Sequence, residues 1–217
     1  MSLVLYGHPF SSCTQKVLVG LYENATPFAW HVLDGPEAFA ELRQLWPIGL
    51  MPVLVDDGTP VAETTIILEH LDLRYRGPVR LLPDDPEAAL EVRALDRFFD
   101  LYVMTPMQRI VGDALRPEDQ RDPRGVAEAR ARLGQAYAWL DGKLAGRGWA
   151  AGEAFTMADC AAAPALFYAD WVEPIDTAFS AVRALRRRLL RRPSFARAVD
   201  DARPYRQYFP LGAPDRD

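Results

Sequence analysis

Three short segments of the chain carry side chains whose types and spacing can do chemistry. In Gly7-His8-Pro9-Phe10-Ser11-Ser12-Cys13-Thr14-Gln15-Lys16-Val17, two hydroxyls and a thiol stand where a strand gives way to a helix. The open N–H groups and positive dipole end of a helix start favour an anion, and a serine hydroxyl there can donate to a thiolate. An ordinary thiol titrates near ~8.5, so a donor that lowers this value raises the reactive fraction at neutral pH. Ser11 or Ser12 can thus hold a thiol substrate as its anion, with Cys13 beside them. Equally, one serine can cap the helix while Cys13 fills a gap in the core. The second segment is Met51-Pro52. With a cis bond, the Met51 N–H and C=O would turn toward a ligand as a peptide-like edge; with the commoner trans bond, Pro52 only opens a strand. Third is Glu63-Thr64, where a helix start can take a carboxylate while Glu63 accepts from an ammonium, the two ends of an amino-acid zwitterion. A plain capping pair fits the same residues.

These segments need a scaffold that brings them together. Leu3-Val4-Leu5-Tyr6 reads as a strand, and Val17, Leu18, Leu21 and Tyr22 recur on one helical face between Thr14 and Glu23. Phe28 to Val32 is a second strand-length apolar run. Val53-Leu54-Val55, then Asp57-Gly58 and Val61, read as a hairpin, and Ile67, Leu68 and Leu71 mark a helix over 64–75. The order is βαβ, an irregular segment, then ββα. A cluster of breakers between Arg76 and Pro86 suits a linker. Beyond it every periodic segment is helical, as in Leu95, Phe98, Phe99 and Tyr102, or Leu133, Tyr137, Leu140 and Leu144. The division is residues 1–76, a linker at 77–86, and an all-helical part at 87–217. Phe155-Thr156-Met157-Ala158-Asp159-Cys160 reads as a structural capping box. The arginine-rich stretch from Arg183 to Arg192 reads as a solvated helix face, with an anionic partner as the alternative.

Composition narrows the classes. With 217 residues, 49% hydrophobic and 25% charged, the chain is a folded globular protein. A net charge of -5 argues against general nucleic-acid binding, which needs a basic surface. Two cysteines, Cys13 and Cys160, cannot form a disulfide framework, and the amino terminus lacks a leader pattern, so a cytoplasmic location is expected. No apolar run reaches membrane-spanning length. His8, His31 and His70 have no partner at metal-ligand spacing, so no metal is expected. Nucleotide-binding glycine patterns are absent.

Taken in order, these pieces resemble the cytosolic glutathione transferase family over nearly the whole chain. Leu5 to Ser11 is similar to the phi and theta classes, and Ser11-Ser12-Cys13 to the zeta class, which includes isomerases. Pro47-Ile48-Gly49-Leu50-Met51-Pro52-Val53-Leu54 resembles the family's N-P-x-G-x-V-P-x-L segment, and Glu63-Thr64 its Glu-Ser pair. Leu81-Leu82-Pro83 and Phe155 to Asp159 resemble its linker and capping box. The resemblance implies an α/β thioredoxin-like N-terminal domain with Pro52 as its cis-proline, followed by an all-α C-terminal domain. It implies glutathione as cosubstrate, with Ser11 stabilising the thiolate and Ser12 and Cys13 as alternatives. Met51 would pair with the cysteinyl backbone, and Glu63 with Thr64 would hold the γ-glutamyl end. It further implies a homodimer and a small hydrophobic electrophile. The acceptor pocket would be supplied by Tyr102, Met104, Met107, Phe167 and Trp171, with Arg109 beside them.

Departures from the family pattern are specific. Trp46 replaces an asparagine, Leu50 a lysine or glutamine, and Glu37 and Ala38 stand where related chains carry basic residues for the glycine carboxylate. Lys16 is the nearby cation. Two other readings stay open: a glutathione-dependent isomerase or thiol reductase, suggested by Ser12-Cys13, and a non-catalytic interaction protein on the same fold.

Overall fold

A computed structural model describes residues 2–216. Strand β1 (Leu3–Gly7) leads through α1 (Ser12–Glu23) to β2 (Ala29–Val32), which pairs parallel to β1; α2 (Pro36–Leu45) follows. β3 (Val53–Asp56) and β4 (Thr59–Ala62) close the sheet in the order β2-β1-β3-β4, with β3 antiparallel to both neighbours. Asp57 and Gly58 both adopt positive φ, the geometry that a two-residue hairpin turn demands. α3 (Thr64–Arg74) then packs on α1. The contact is close: a Cβ on Gly20 would lie 2.4 Å from Leu68 Cδ2, so any side chain there displaces Leu68.

The segment between β2 and β3, read from sequence as irregular, is helical. α2 starts at Pro36 after Gly35 and buries only Leu42. A helix with one buried residue leaves little apolar period to detect. Leu42 joins Leu33 and β3 residue Val53 in a small cluster that Trp46 and Met51 flank.

The remaining chain is helical: α4 (Pro86–Phe98), a π-helical segment (Phe99–Met104), α5 (Thr105–Ala114), α6 (Pro123–Leu144), α7 (Met157–Val172), α8 (Ser180–Leu190) and α9 (Pro193–Ala202). Every residue of α7 is buried, which suits its run of alanines: small side chains let neighbouring helices approach on all sides. One hydrophobic core spans both halves, from Leu5, Val17 and Leu54 to Phe99, Leu133 and Leu166. Polar ties reinforce it. Arg192 donates twice to Glu23, at 2.6 Å each, and stacks over Phe155 at 4.1 Å. Arg186 pairs with Asp170 at 3.3 Å. The arginine-rich stretch is therefore not one solvated face, because the α8 and α9 arginines reach back over buried partners. No helix among the described residues is long and apolar enough to cross a membrane.

Candidate active site

The α1 start is built tightly. Ser11 caps the helix, its Oγ accepting the Thr14 N–H at 3.3 Å, while its own N–H bonds to the His8 carbonyl at 3.0 Å. Because Oγ acts as the acceptor in the cap, the Ser11 hydroxyl hydrogen remains available to donate. His8 orders the preceding loop: its Nδ1 accepts the Phe10 N–H at 3.1 Å, and its ring meets Tyr205 edge-on at 4.5 Å.

Burial pulls the His8 pKa below its ordinary 6.5, and Asp34 only partly opposes this. Protonation would turn the acceptor nitrogen into a donor aimed at a donor. An imidazole with a lowered folded-state value adds stability that is complete above the unfolded value and is lost as pH falls through the folded one. Thermal unfolding followed from about pH 7.5 to pH 5 should therefore fall more steeply for the parent than for His8→Asn, whose amide oxygen keeps an acceptor. Parallel profiles would remove His8 from this role.

Two clefts flank the α1 start. The first, of about 320 Å³, is lined by Cys13, Trp46, Leu50, Met51, Pro52, Glu63 and Thr64 from the sheet half. Arg97, Asp100, Leu101, Met104, Thr105 and Gln108 line it from the helical half. The Met51-Pro52 bond is cis. The sheet register begins at Val53, so Met51 stands outside the ladder. Glu63 sits before α3 at φ 70°, a conformation costing a non-glycine residue about 1–3 kcal/mol. Its side chain makes no cap bond, which disfavours the plain capping reading and leaves the exposed carboxylate facing the cleft. Thr64 opens α3 beside it.

The second cleft, of about 390 Å³, lies against Phe10, Ser11, Ser12, Met107, Val111, Leu115, Tyr168, Tyr208 and Phe209. Gln108 lines both clefts, and its Nε2 reaches Cys13 Sγ at 3.6 Å. The three sequence candidates are thus divided: Cys13 faces the polar cleft, and Ser11 and Ser12 face the apolar one. Burial raises the Cys13 pKa above that of a free thiol, so it stands at neutral pH as a thiol.

The acceptor residues expected from sequence are scattered. Met104 lines the first cleft and Met107 the second, whereas exposed Tyr102 and Arg109 lie on a separate surface groove. Phe167 and Trp171 line neither; both belong to all-buried α7, with ring centroids 4.8 Å apart and further contacts to Phe195 and Phe209. An aromatic pair at helical spacing looks alike in sequence whether it faces a core or a cleft. Conversely, Arg97, Asp100, Leu101 and Gln108 carried no signal. The π segment explains part of this, since the Thr105 N–H bonds back to Asp100 O and the face presented after Phe98 shifts.

Lys16 is not available to a ligand. It is 1% exposed, with Nζ 2.7 Å from Asp96 and 2.8 Å from Asp100. Thr65, the second residue of α3, donates to Asp96 at 2.6 Å. This buried group joins α1, α3 and α4 behind the first cleft. Among the described residues lining that cleft, Arg97 carries the positive charge, and it is paired with Asp100 at 3.3 Å.

Comparisons with known proteins agree with this geometry. Residues 5–79 match the description "Glutathione S-transferase, N-terminal domain" and residues 98–193 "Glutathione S-transferase, C-terminal domain". A glutathione S-transferase of Pseudomonas putida is 30% identical over 72% of this chain and 70% of its own. A probable maleylacetoacetate isomerase of Vibrio cholerae is 26% identical over 94% and 98%. Among solved structures, a glutathione S-transferase from Methylobacillus flagellatus with glutathione bound superposes at TM-score 0.82, with 25% identity, covering 91% of this chain and 98% of its own. With a thioredoxin-like half, a helical half and these matches, the chain belongs to the glutathione S-transferase family.

Proposed function

We propose that the protein is a glutathione transferase that holds the glutathione thiolate at the start of α1 for attack on a hydrophobic electrophile. One observation carries this reading: four separate segments converge on one cleft with the donors and acceptors that a γ-glutamyl peptide needs, and an apolar cleft adjoins it at Ser11. Glu63 accepts from the γ-glutamyl ammonium, the Thr64 end of α3 takes its carboxylate, and Met51 pairs with the cysteinyl backbone. The sulfur then lies between the clefts, where the Ser11 hydroxyl donates to it. The enzyme contributes electrostatic activation of a nucleophile that belongs to the cosubstrate. Residues 1–76 are the glutathione-binding half, 77–86 the linker and 87–217 the acceptor half of a cytoplasmic homodimeric detoxification enzyme. Exposed Ile66, Leu73 and Leu90 on α3 and α4 support self-association.

The neutral Cys13 thiol counts against a thiol reductase, whose nucleophile is a thiolate. An isomerase remains the second reading, favoured by the similarity to the probable maleylacetoacetate isomerase. Turnover of a chlorinated nitroarene with glutathione tests both readings. Ser11→Ala is expected to lower kcat/KM by roughly 10- to 100-fold, the loss of one donor to a developing anion, while Cys13→Ser changes it by less than about threefold. An unchanged Ser11→Ala variant, or an inactive Cys13→Ser variant, would overturn the assignment. Conversion of a cis-enone acid without net thiol consumption would instead favour the isomerase.

A further inference from the structure

Sharing no lining residue with either cleft, another cavity of about 500 Å³ opens between the end of α7 and α8. Its lining is Asp170, Pro174, Ile175, Arg183, Arg186, Arg187 and Arg216, four guanidinium groups against one carboxylate. In a chain of net charge -5 this is a local inversion of sign. Three of these arginines are held by the protein itself, while Arg187 stands exposed at the rim. Arg183 donates to the Ile175 carbonyl at 2.9 Å, and Arg186 both pairs with Asp170 and donates to the Arg216 carbonyl at 2.7 Å. Arg216, from the C-terminal segment, also lines the cavity and donates to the Asp170 carbonyl at 3.0 Å. Asp170 is itself engaged, its Oδ1 accepting the Ile175 N–H at 2.8 Å.

A guanidinium carries five donors, so a group that spends one or two on carbonyls still presents a fork to a ligand. Bidentate forks held in advance lose little freedom on binding, which is why clustered arginines suit phosphoryl and carboxylate oxygens. The volume lies in the range of small-molecule sites, and Pro174 and Ile175 give one apolar wall. We infer that this cavity binds a small phosphorylated anion of two or more charges, with Arg183 and Arg187 as its principal ligands and Arg216 as a closing strap. The site is independent of the glutathione cleft.

Inorganic pyrophosphate is the probe, titrated calorimetrically at low ionic strength into the parent and into Arg183→Gln/Arg187→Gln. Arg187 is exposed, and Asp170 keeps its Arg186 and Arg216 partners, so the variant is expected to fold; its melting curve without ligand checks this. The expected result is saturable binding by the parent, weakened roughly tenfold or more in the variant and falling with added salt. Glutathione binding should be the same in both proteins. Absence of saturable heat in the parent, or equal affinity in the two proteins, would overturn the site. Citrate binding as tightly as pyrophosphate would also overturn the phosphoryl assignment.

Discussion

Lys16→Met is expected to lower the free energy of unfolding by about 3–5 kcal/mol at neutral pH, the cost of leaving a buried charge without its partner. Asp96 is fully buried, 2.7 Å from the Lys16 ammonium, and keeps only the Thr65 hydroxyl when that ammonium is removed. Asp100 keeps Arg97. Burial already holds the Asp96 pKa above the usual carboxylate value with the cation present, and its removal pushes it further up. A carboxyl raised in the folded state binds more protons folded than unfolded. The penalty is therefore greatest at neutral pH and shrinks as pH falls through the folded-state value. Replacing both partners, in Lys16→Met/Asp96→Leu, should regain most of the loss, because apolar groups of similar volume leave nothing unpaired. Denaturant unfolding at pH 7 and pH 5 reads all three proteins. A single variant as stable as the parent at pH 7 would mean that the buried group does not couple α1 to α3 and α4.

The second large effect belongs to Asp159. Its carboxylate accepts the Ala150 N–H at 2.8 Å, the Thr156 N–H at 2.9 Å and the Thr156 hydroxyl at 3.3 Å, all buried. Burial nonetheless lifts its pKa to about 6, so the charge is disfavoured in the fold; the residue's value lies in the donors it satisfies. Asp159→Ala leaves two buried N–H groups without partners, at about 1–3 kcal/mol each, and a loss of about 3 kcal/mol is expected. Asp159→Asn retains one acceptor and should lose about half as much. Because α7 is the central helix of the core, the loss should appear as a lowered midpoint of the whole cooperative transition, not as local fraying. Equal midpoints for the parent and the alanine variant would contradict this.

Local signals made the sheet half legible. Asp57-Gly58 announces its hairpin through the backbone angles it alone tolerates, and β1 and α1 follow from apolar period. Residue types alone offered Glu63-Thr64 as a zwitterion site or as a capping pair, and the absent cap bond that disfavours capping is a three-dimensional fact. α2 escaped notice because a helix resting on Leu42 has almost no inner face. The helical wall of the site was the least legible part. Phe167 and Trp171 have the spacing of a pocket and the position of a core, whereas Arg97, at the end of α4, and Asp100 and Gln108, in and after the π segment, acquire meaning only when the fold sets them against Cys13 and Met51. The separation of Ser12 from Cys13 onto different clefts follows from one helical step, roughly 100° between successive residues.

The most direct test is a calorimetric titration of glutathione at pH 7 into the parent and into Glu63→Ala. Glu63 is exposed and bonds to no cap, so its replacement leaves the fold intact. The account predicts saturable binding by the parent that weakens roughly 10- to 100-fold in the variant, the value of one hydrogen bond to a charged group. Absence of binding up to several millimolar in the parent, or equal affinities in the two proteins, would contradict it.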